Sequence, residues 1–305
     1  DRFIADAIQS VFDQTDPNWE IILADDGGKI DLKDLRARFG PRLTVVRAGG
    51  RGPAAARNTG AKAATGEWVL FLDDDDLLLP NALADLRAAA NREQADWAAG
   101  RFKRINVAGQ PIGPEHRGKF ESGDAYRDLI RGCQFGPPAV VLARRSVIDA
   151  SGGFPERPMV CEDWDLWLTI ARDHPLAAIG EPVALYRVHG AQRSATIQMF
   201  HDQLGLLQRH RQRARPGWEA DFDRATARLC LELGDQLDYW FARPAEARQQ
   251  WARARQLAGS PLSWRGYATR IVRSYLPGWL RRRRRRLGNR AVVTPVPGAG
   301  DGGPP

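Results

Sequence analysis

Cysteine is scarce in this chain of 305 residues: Cys133, Cys161 and Cys230 are all there is, and no CxxC pair occurs. That spacing supports neither a zinc knuckle nor a disulfide framework, and it points to a reducing compartment, the cytosol. Long apolar runs are missing too. No stretch approaches the roughly 18 uninterrupted apolar residues of a membrane-spanning helix, so an integral membrane protein built on such helices is excluded. Residues 1–12 lack a basic segment followed by an apolar run, and no secretory signal is expected. Acid is sparse in one region: residues 201–305 hold 9 Asp and Glu against 20 Lys and Arg, whereas residues 1–200 hold 28 against 25. The net charge of +8 therefore belongs to the C-terminal third, whose partner is a separate question from the chemistry of the first two-thirds. What is present, 43% hydrophobic and 27% charged residues, matches a soluble globular chain of one large domain or two ordinary ones.

Along the first 106 residues, helix and strand patterns alternate. Phe3, Ile4, Ala7, Ile8, Val11 and Phe12 form a helical stripe, and residues 19–24 form an apolar run expected to be a strand buried on both faces. A polar helix is expected over 32–39, a strand over 43–46, a small-residue helix over 54–64 after the turn Gly49-Gly50-Arg51-Gly52-Pro53, and a second buried strand over 67–72. A helix over 83–91 and a strand over 97–106 follow. This order predicts an α/β fold, an open and mostly parallel twisted sheet with flanking helices. Beyond residue 195 the texture becomes Arg, Gln, Ala and Leu-rich, with amphipathic helices expected over 197–215, 219–241 and 244–258. The expected domains are 1–195, a helical extension over 196–277, and a basic, Gly/Pro-rich tail over 278–305 with no core-forming pattern.

Three acidic features stand out. Asp73, Asp74, Asp75 and Asp76 end the second buried strand, and adjacent carboxylates raise one another's pKa unless a cation neutralises them. Magnesium or manganese suits such oxygen ligands; the bland alternative is a solvated acidic turn. Asp25-Asp26-Gly27-Gly28 ends the first buried strand, so both clusters fall at the carboxyl edge of the sheet, where ligands of open sheets bind. Asp163 heads a helical face completed by Leu166, Trp167 and Ile170, which fits either a general base tuned by partial burial or an acid at a helix N-terminus.

In this order, EIILADDGG (20–28), GPAAARNTGAKAATG (52–66), WVLFLDDDDLLLP (68–80), Gly152-Gly153-Phe154 with EDWDLWL (162–168), and YRVH (186–189) resemble the family 2 glycosyltransferases of the GT-A fold. The resemblance covers about residues 1–195 and implies roles. Asp26 would meet the nucleobase of a nucleotide-sugar, with Asp25 supporting the turn. Asp73 and Asp75 would be the outer members of the DxD motif, touching ribose and metal-bound diphosphate, with Asp75 the main ligand of Mn2+ or Mg2+. Asp163 would be the catalytic base. His189 would reach the metal or diphosphate, and Arg51 and Arg57 would meet uracil or phosphate, or else be solvated charges. Gly28 stands where the family usually has serine, and the family's first strand has no counterpart before residue 1, so an upstream extension of one strand and turn is expected.

The reading is an inverting glycosyltransferase acting on a UDP-sugar and a glycan or lipid-linked acceptor. A nucleotidyltransferase would share the sheet and the acids but leaves EDWDLW without a purpose, and a non-catalytic nucleotide-sugar-binding module is the other alternative. In the basic third, Trp264, Tyr267, Ile271, Val272, Tyr275, Leu276, Trp279 and Leu280 precede Arg281–Arg286, a pattern suited to an anionic membrane surface at the inner face of a membrane. Nothing resembles a nucleic-acid-reading element, so no nucleic-acid partner is expected.

Overall fold

The computed structural model describes residues 3–27, 32–114, 120–189, 197–257 and 263–276. It divides into two compact units, one formed by residues 1–158 and 162–189, the other by residues 159–161 and 190–305.

In the first unit, α1 (Ile4–Phe12) buries Ile4, Ala7 and Ile8, the row that the i, i+3, i+4 spacing puts on one side. Ile4 and Ile8 pack with Leu35 and Phe39 of α2 (Leu32–Phe39) and with Leu43, forming a small core over a two-stranded parallel sheet. Its strands are β1 (Ile21–Asp25) and β2 (Leu43–Arg47), with Ile21 opposite Leu43 and Asp25 opposite Arg47. Every residue of β1 is half-buried, so the expectation of burial on both faces does not hold among the described residues. The helix α3 (Pro53–Ala63) follows β2 and packs on β1 and β2 through its small residues.

A second sheet of five strands carries the larger core. Its members are β3 (Trp68–Leu70), β4 (Leu77–Leu78), β5 (Trp97–Ile105), β6 (Val141–Arg144) and β7 (Leu176–Arg187), in the order β3-β6-β5-β7-β4. Only β5 and β7 run parallel here; the other three pairings are antiparallel. The sequence reading of a mostly parallel sheet thus holds for β1–β2 and β5–β7 alone. Fully buried apolar strands read the same in either direction, and the segments from residue 107 onward, which supply β6 and β7, carry no long helical signal to reveal the crossover.

Of the helices α4 (Ala82–Glu93), α5 (Tyr126–Arg131), α6 (Arg145–Ala150) and α7 (Glu162–Ala171), α4 and α6 pack on this sheet, and α5 and α6 pack on α7. Trp167 of α7 stacks at 6.4 Å on Trp97 of β5 and meets Phe154 edge-on at 6.1 Å. Trp164 donates its indole N–H to the Leu129 carbonyl at 2.7 Å, tying α7 to α5.

The second unit contains α8 (Ile197–Arg211), α9 (Glu219–Tyr239), α10 (Pro244–Gln256) and α11 (Trp264–Ser274). The first three match the expected segments, while α11 falls in a stretch read only as aromatic and basic. Helices α9 and α10 cross closely: a Cβ at Gly234 would lie 2.5 Å from the Trp251 indole nitrogen. No helix among the described residues is long and apolar enough to cross a membrane. The run Arg281–Arg286, with Trp279, Leu280 and the expected tail, lies outside the described residues.

Candidate active site

The antiparallel pairing of β4 with β7 assembles the acidic end of the site. Leu77 lies opposite Leu185 and Leu78 opposite Ala184, so the aspartates just before β4 meet the residues at the end of β7. The Arg187 backbone N–H donates to Asp76 at 2.9 Å, its guanidinium donates to the Asp75 carbonyl at 2.9 Å, and the His189 ring nitrogen Nε2 lies 2.8 Å from the Asp75 carboxylate. Arg187 is buried and lies 4.2 Å over the Phe3 ring, so it is fixed from two sides. Asp73, Asp75 and Asp76 each present a carboxylate oxygen, all within 4.8 Å of one another. Burial, with the Asp73 and Asp75 charges added, pushes the Asp76 carboxyl up to about 8. The Asp76 Oδ2 is buried with no hydrogen-bond partner among the described residues. Clustered carboxylates with a buried orphan oxygen fit a hard divalent cation, magnesium or manganese.

A second layer joins these acids to α7. Arg57, on α3, donates to Asp73 at 2.7 Å and to Glu162 at 3.0 Å, and its guanidinium sits 5.3 Å over the Phe154 ring. Burial alone would lower the Arg57 pKa, but Asp73, then Glu162 and Asp163, hold it above its ordinary range, so the guanidinium stays charged. Asp163 stands inside the first turn of α7 and accepts from the N–H of its own neighbour Trp164 at 2.7 Å. A helix cap instead accepts from the N–H two or three residues on. Burial first, then the adjacent Glu162, push the Asp163 carboxyl up to about 6 against the pull of Arg57. Leu166, Trp167 and Ile170 below it are fully buried, as the helical face predicts. The Cys133 thiol is pushed up to about 12 by burial and by the Asp163 charge.

The other acid cluster lies at the N-terminal end of the same helix α3, before the turn that carries Arg57. Asp25 accepts from the Gly27 N–H at 3.0 Å, closing the turn. Asp26 accepts from the Arg51 N–H at 2.9 Å and the Gly52 N–H at 2.8 Å, and thereby holds the glycine turn that leads into α3. Gly52 takes φ of +93°, where a side chain would be strained. The Arg51 guanidinium pairs with Glu156 at 2.8 Å. Arg57 is therefore the arginine engaged with the acids at Asp73 and α7, and Arg51 the one on the turn. Glu156 also accepts from Asn58 at 3.1 Å, so α3 connects the turn to the loop before α7.

Four participants escape a reading of the sequence. Glu162 sits beside the singled-out Asp163, and Asp76 belongs to the expected acidic cluster without a role of its own beside Asp73 and Asp75. Arg187 is the second residue of YRVH. Asn58 both donates to the Phe154 carbonyl and accepts its N–H, each at 2.8 Å. Membership of EDWDLWL and of YRVH is the sequence signal for Glu162 and Arg187; for Asn58 the signal is its place after Arg57.

Comparison with known proteins agrees with this arrangement. The sequence profile described as Glycosyl transferase family 2 matches residues 2–152. An uncharacterized glycosyltransferase of Haemophilus influenzae is 36% identical over 208 residues, covering 65% of this chain and 68% of that one. The Escherichia coli protein WfgD, a UDP-Glc:alpha-D-GlcNAc-diphosphoundecaprenol beta-1,3-glucosyltransferase, is 28% identical over 209 residues, covering 65% of this chain and 76% of WfgD. This chain spans about a third of the length of the Rickettsia felis and Rickettsia conorii glycosyltransferases it matches, 31% and 30%. Among solved structures, Staphylococcus aureus TarS 1-349 in complex with UDP-GlcNAc superposes with a TM-score of 0.57 at 16% identity, covering 84% of this chain and 88% of that one, which shows a shared GT-A fold. With the fold, the acidic strand end and these relatives in agreement, the chain belongs to glycosyl transferase family 2.

Proposed function

We propose that the chain transfers a sugar from a UDP-sugar to a hydroxyl of a glycan or lipid-linked acceptor, with inversion at the anomeric carbon. The observation that carries this reading is Arg57, whose guanidinium joins Asp73 of the DxD motif to Glu162 beside Asp163. It brings the acids suited to the donor diphosphate next to a buried carboxyl raised to about 6, a value at which a base is ionised near neutral pH yet still accepts a proton. The Asp163 carboxylate takes the proton of the acceptor hydroxyl, the oxygen forms its bond to the anomeric carbon from the face opposite the diphosphate, and the bond to the diphosphate oxygen breaks. Asp75 and Asp73 would hold Mn2+ or Mg2+, with His189 beside Asp75, and Asp26 and Arg51 would border the nucleobase. When bound, the cation supplies counter-charge to the departing diphosphate. The UDP and lipid-linked acceptor are supported by the TarS complex with UDP-GlcNAc and by the substrates in the WfgD name. The catalytic domain would be residues 1–195, with the helices of 196–277 as an extension and 278–305 as a basic tail that draws the protein to the cytoplasmic face of a membrane.

The test separates binding from chemistry. Asp163→Asn is expected to retain the manganese-dependent thermal shift with a UDP-sugar while losing about 10²- to 10⁴-fold in turnover. Asp75→Ala is expected to lose both. A folded Asp163→Asn variant within tenfold of the native rate would remove the base assignment, and manganese-dependent activity unchanged in Asp75→Ala would remove the metal assignment.

A further inference from the structure

The last described helix sits in the second unit with its polar side inward. Arg270 donates through two guanidinium nitrogens to Asp235 of α9, both at 2.9 Å, and Arg273 pairs with Asp238 at 3.2 Å and Asp235 at 3.6 Å. Ser274 is buried and accepts from Arg248 of α10 at 3.2 Å. At 100° per residue, Arg270, Arg273 and Ser274 fall on one side of α11. The opposite arc holds Trp264, Ile271, Val272 and Tyr275, and of these Trp264, Val272 and Tyr275 are 62%, 66% and 71% exposed. A helix ordinarily turns its apolar stripe to the core and its charges to water. Here two buried or half-buried aspartates of α9 hold the arginines instead, and the apolar stripe faces out.

The surroundings of this stripe are cationic. Of the seven arginines in residues 241–276, Arg270 and Arg273 are turned to the aspartates of α9, and the other five stand against one glutamate. Arg255 lies 4.3 Å over the Trp264 ring and Arg248 lies 4.4 Å over the Tyr275 ring, so guanidinium groups border the exposed aromatics. Tryptophan and tyrosine at the edge of an apolar stripe, ringed by arginine, match the chemistry of the headgroup layer, where the rings enter the acyl boundary and the cations meet lipid phosphates. A second protein surface would also accept apolar groups, but the excess of positive charge selects an anionic sheet.

We propose that the outward face of α11, formed by Trp264, Val272 and Tyr275, docks on an anionic lipid bilayer. This deepens the peripheral reading above by assigning the insertion to α11 rather than to Arg281–Arg286 alone. The full chain is tested by flotation with vesicles of phosphatidylcholine alone and with 30% phosphatidylglycerol, beside two α11 variants, Trp264→Ser/Val272→Ser/Tyr275→Ser and Val272→Asp, and a third in which Arg281–Arg286 are serine. Circular dichroism checks the fold of each, and Val272→Asp touches no ring contact. The native chain is expected to float with the anionic vesicles, and each α11 variant to lose at least tenfold in bound fraction. If the α11 variants float like the native chain while the arginine variant does not, the tail reading survives and the α11 proposal is overturned. A native chain that never floats overturns both. A native dimer that stays off vesicles and becomes monomeric in the α11 variants assigns the face to a second copy and also overturns the proposal.

Discussion

Arg57 donates to Asp73 through one guanidinium nitrogen and to Glu162 through another, and Glu162 is almost wholly buried. Removing the cation leaves a buried carboxylate uncompensated, so Arg57→Ala is expected to cost about 3 kcal/mol in urea unfolding. Replacing both partners, as in Arg57→Met/Glu162→Leu, is expected to recover most of that stability and none of the transferase activity, which separates the pair's role in positioning Asp73 from its role in the fold. Asp163 carries a pH signature. A carboxyl raised to about 6 must lose its proton to act as a base, so turnover is expected to climb through pH 6 and level above it, and Asp163→Asn to flatten that limb. The same shift opposes folding when the carboxylate is ionised: stability associated with this group is full below the ordinary Asp range and declines as pH rises through about 6. Asp163→Asn should therefore melt a few degrees higher than the native chain at pH 8, with the difference fading at pH 4. Asp73, Asp75 and Asp163 can be read from the chain because crowded acids at the end of an apolar run need a reason. Glu162 and Asp76 cannot, because burial decides their parts and burial is set by residues more than a hundred positions away in the chain.

The loop before α7 and the helix α3 form a single locked element. Gly153 takes φ of +71°, and a Cβ there would lie 2.5 Å from the Asn58 side-chain oxygen that accepts the Phe154 N–H. Gly153→Ala is expected to displace Asn58, break both of its bonds to Phe154 and lower stability by roughly 2 kcal/mol. Asn58→Ala removes the obstacle, so the double variant should cost clearly less than the sum of the two singles, a coupling measurable in a double-mutant cycle. Elements of this first unit that follow a period are legible: the helix over 32–39 matches α2 end to end, and the expected helix over 54–64 is displaced from α3 by one residue. The strand β4, of two residues, is too short to carry any period, yet its pairing with β7 brings His189 and Arg187 to the aspartates. The polarity of α11 misleads in another way, since an amphipathic pattern gives the two faces and leaves open which one turns inward.

At the scale of the molecule, two compact units predict two melting events for the full chain, and a UDP-sugar with manganese is expected to raise the one belonging to the unit that holds Asp75 and Asp163. Equal shifts in both, followed by calorimetry, would show that the units unfold as one. The thiol of Cys133 offers a way to watch the site without any substrate. A rise from 9.0 to about 12 makes its thiolate about a thousandfold scarcer at a given pH, so alkylating reagents should pass it by in the folded chain. Cys230, in α9, is likewise raised by burial and belongs to the other unit. Labelling kinetics read by mass spectrometry thus become two independent clocks, each timing the opening of its own unit, and at pH 8 the clock at Cys133 should run slower in Asp163→Asn, the more stable chain there.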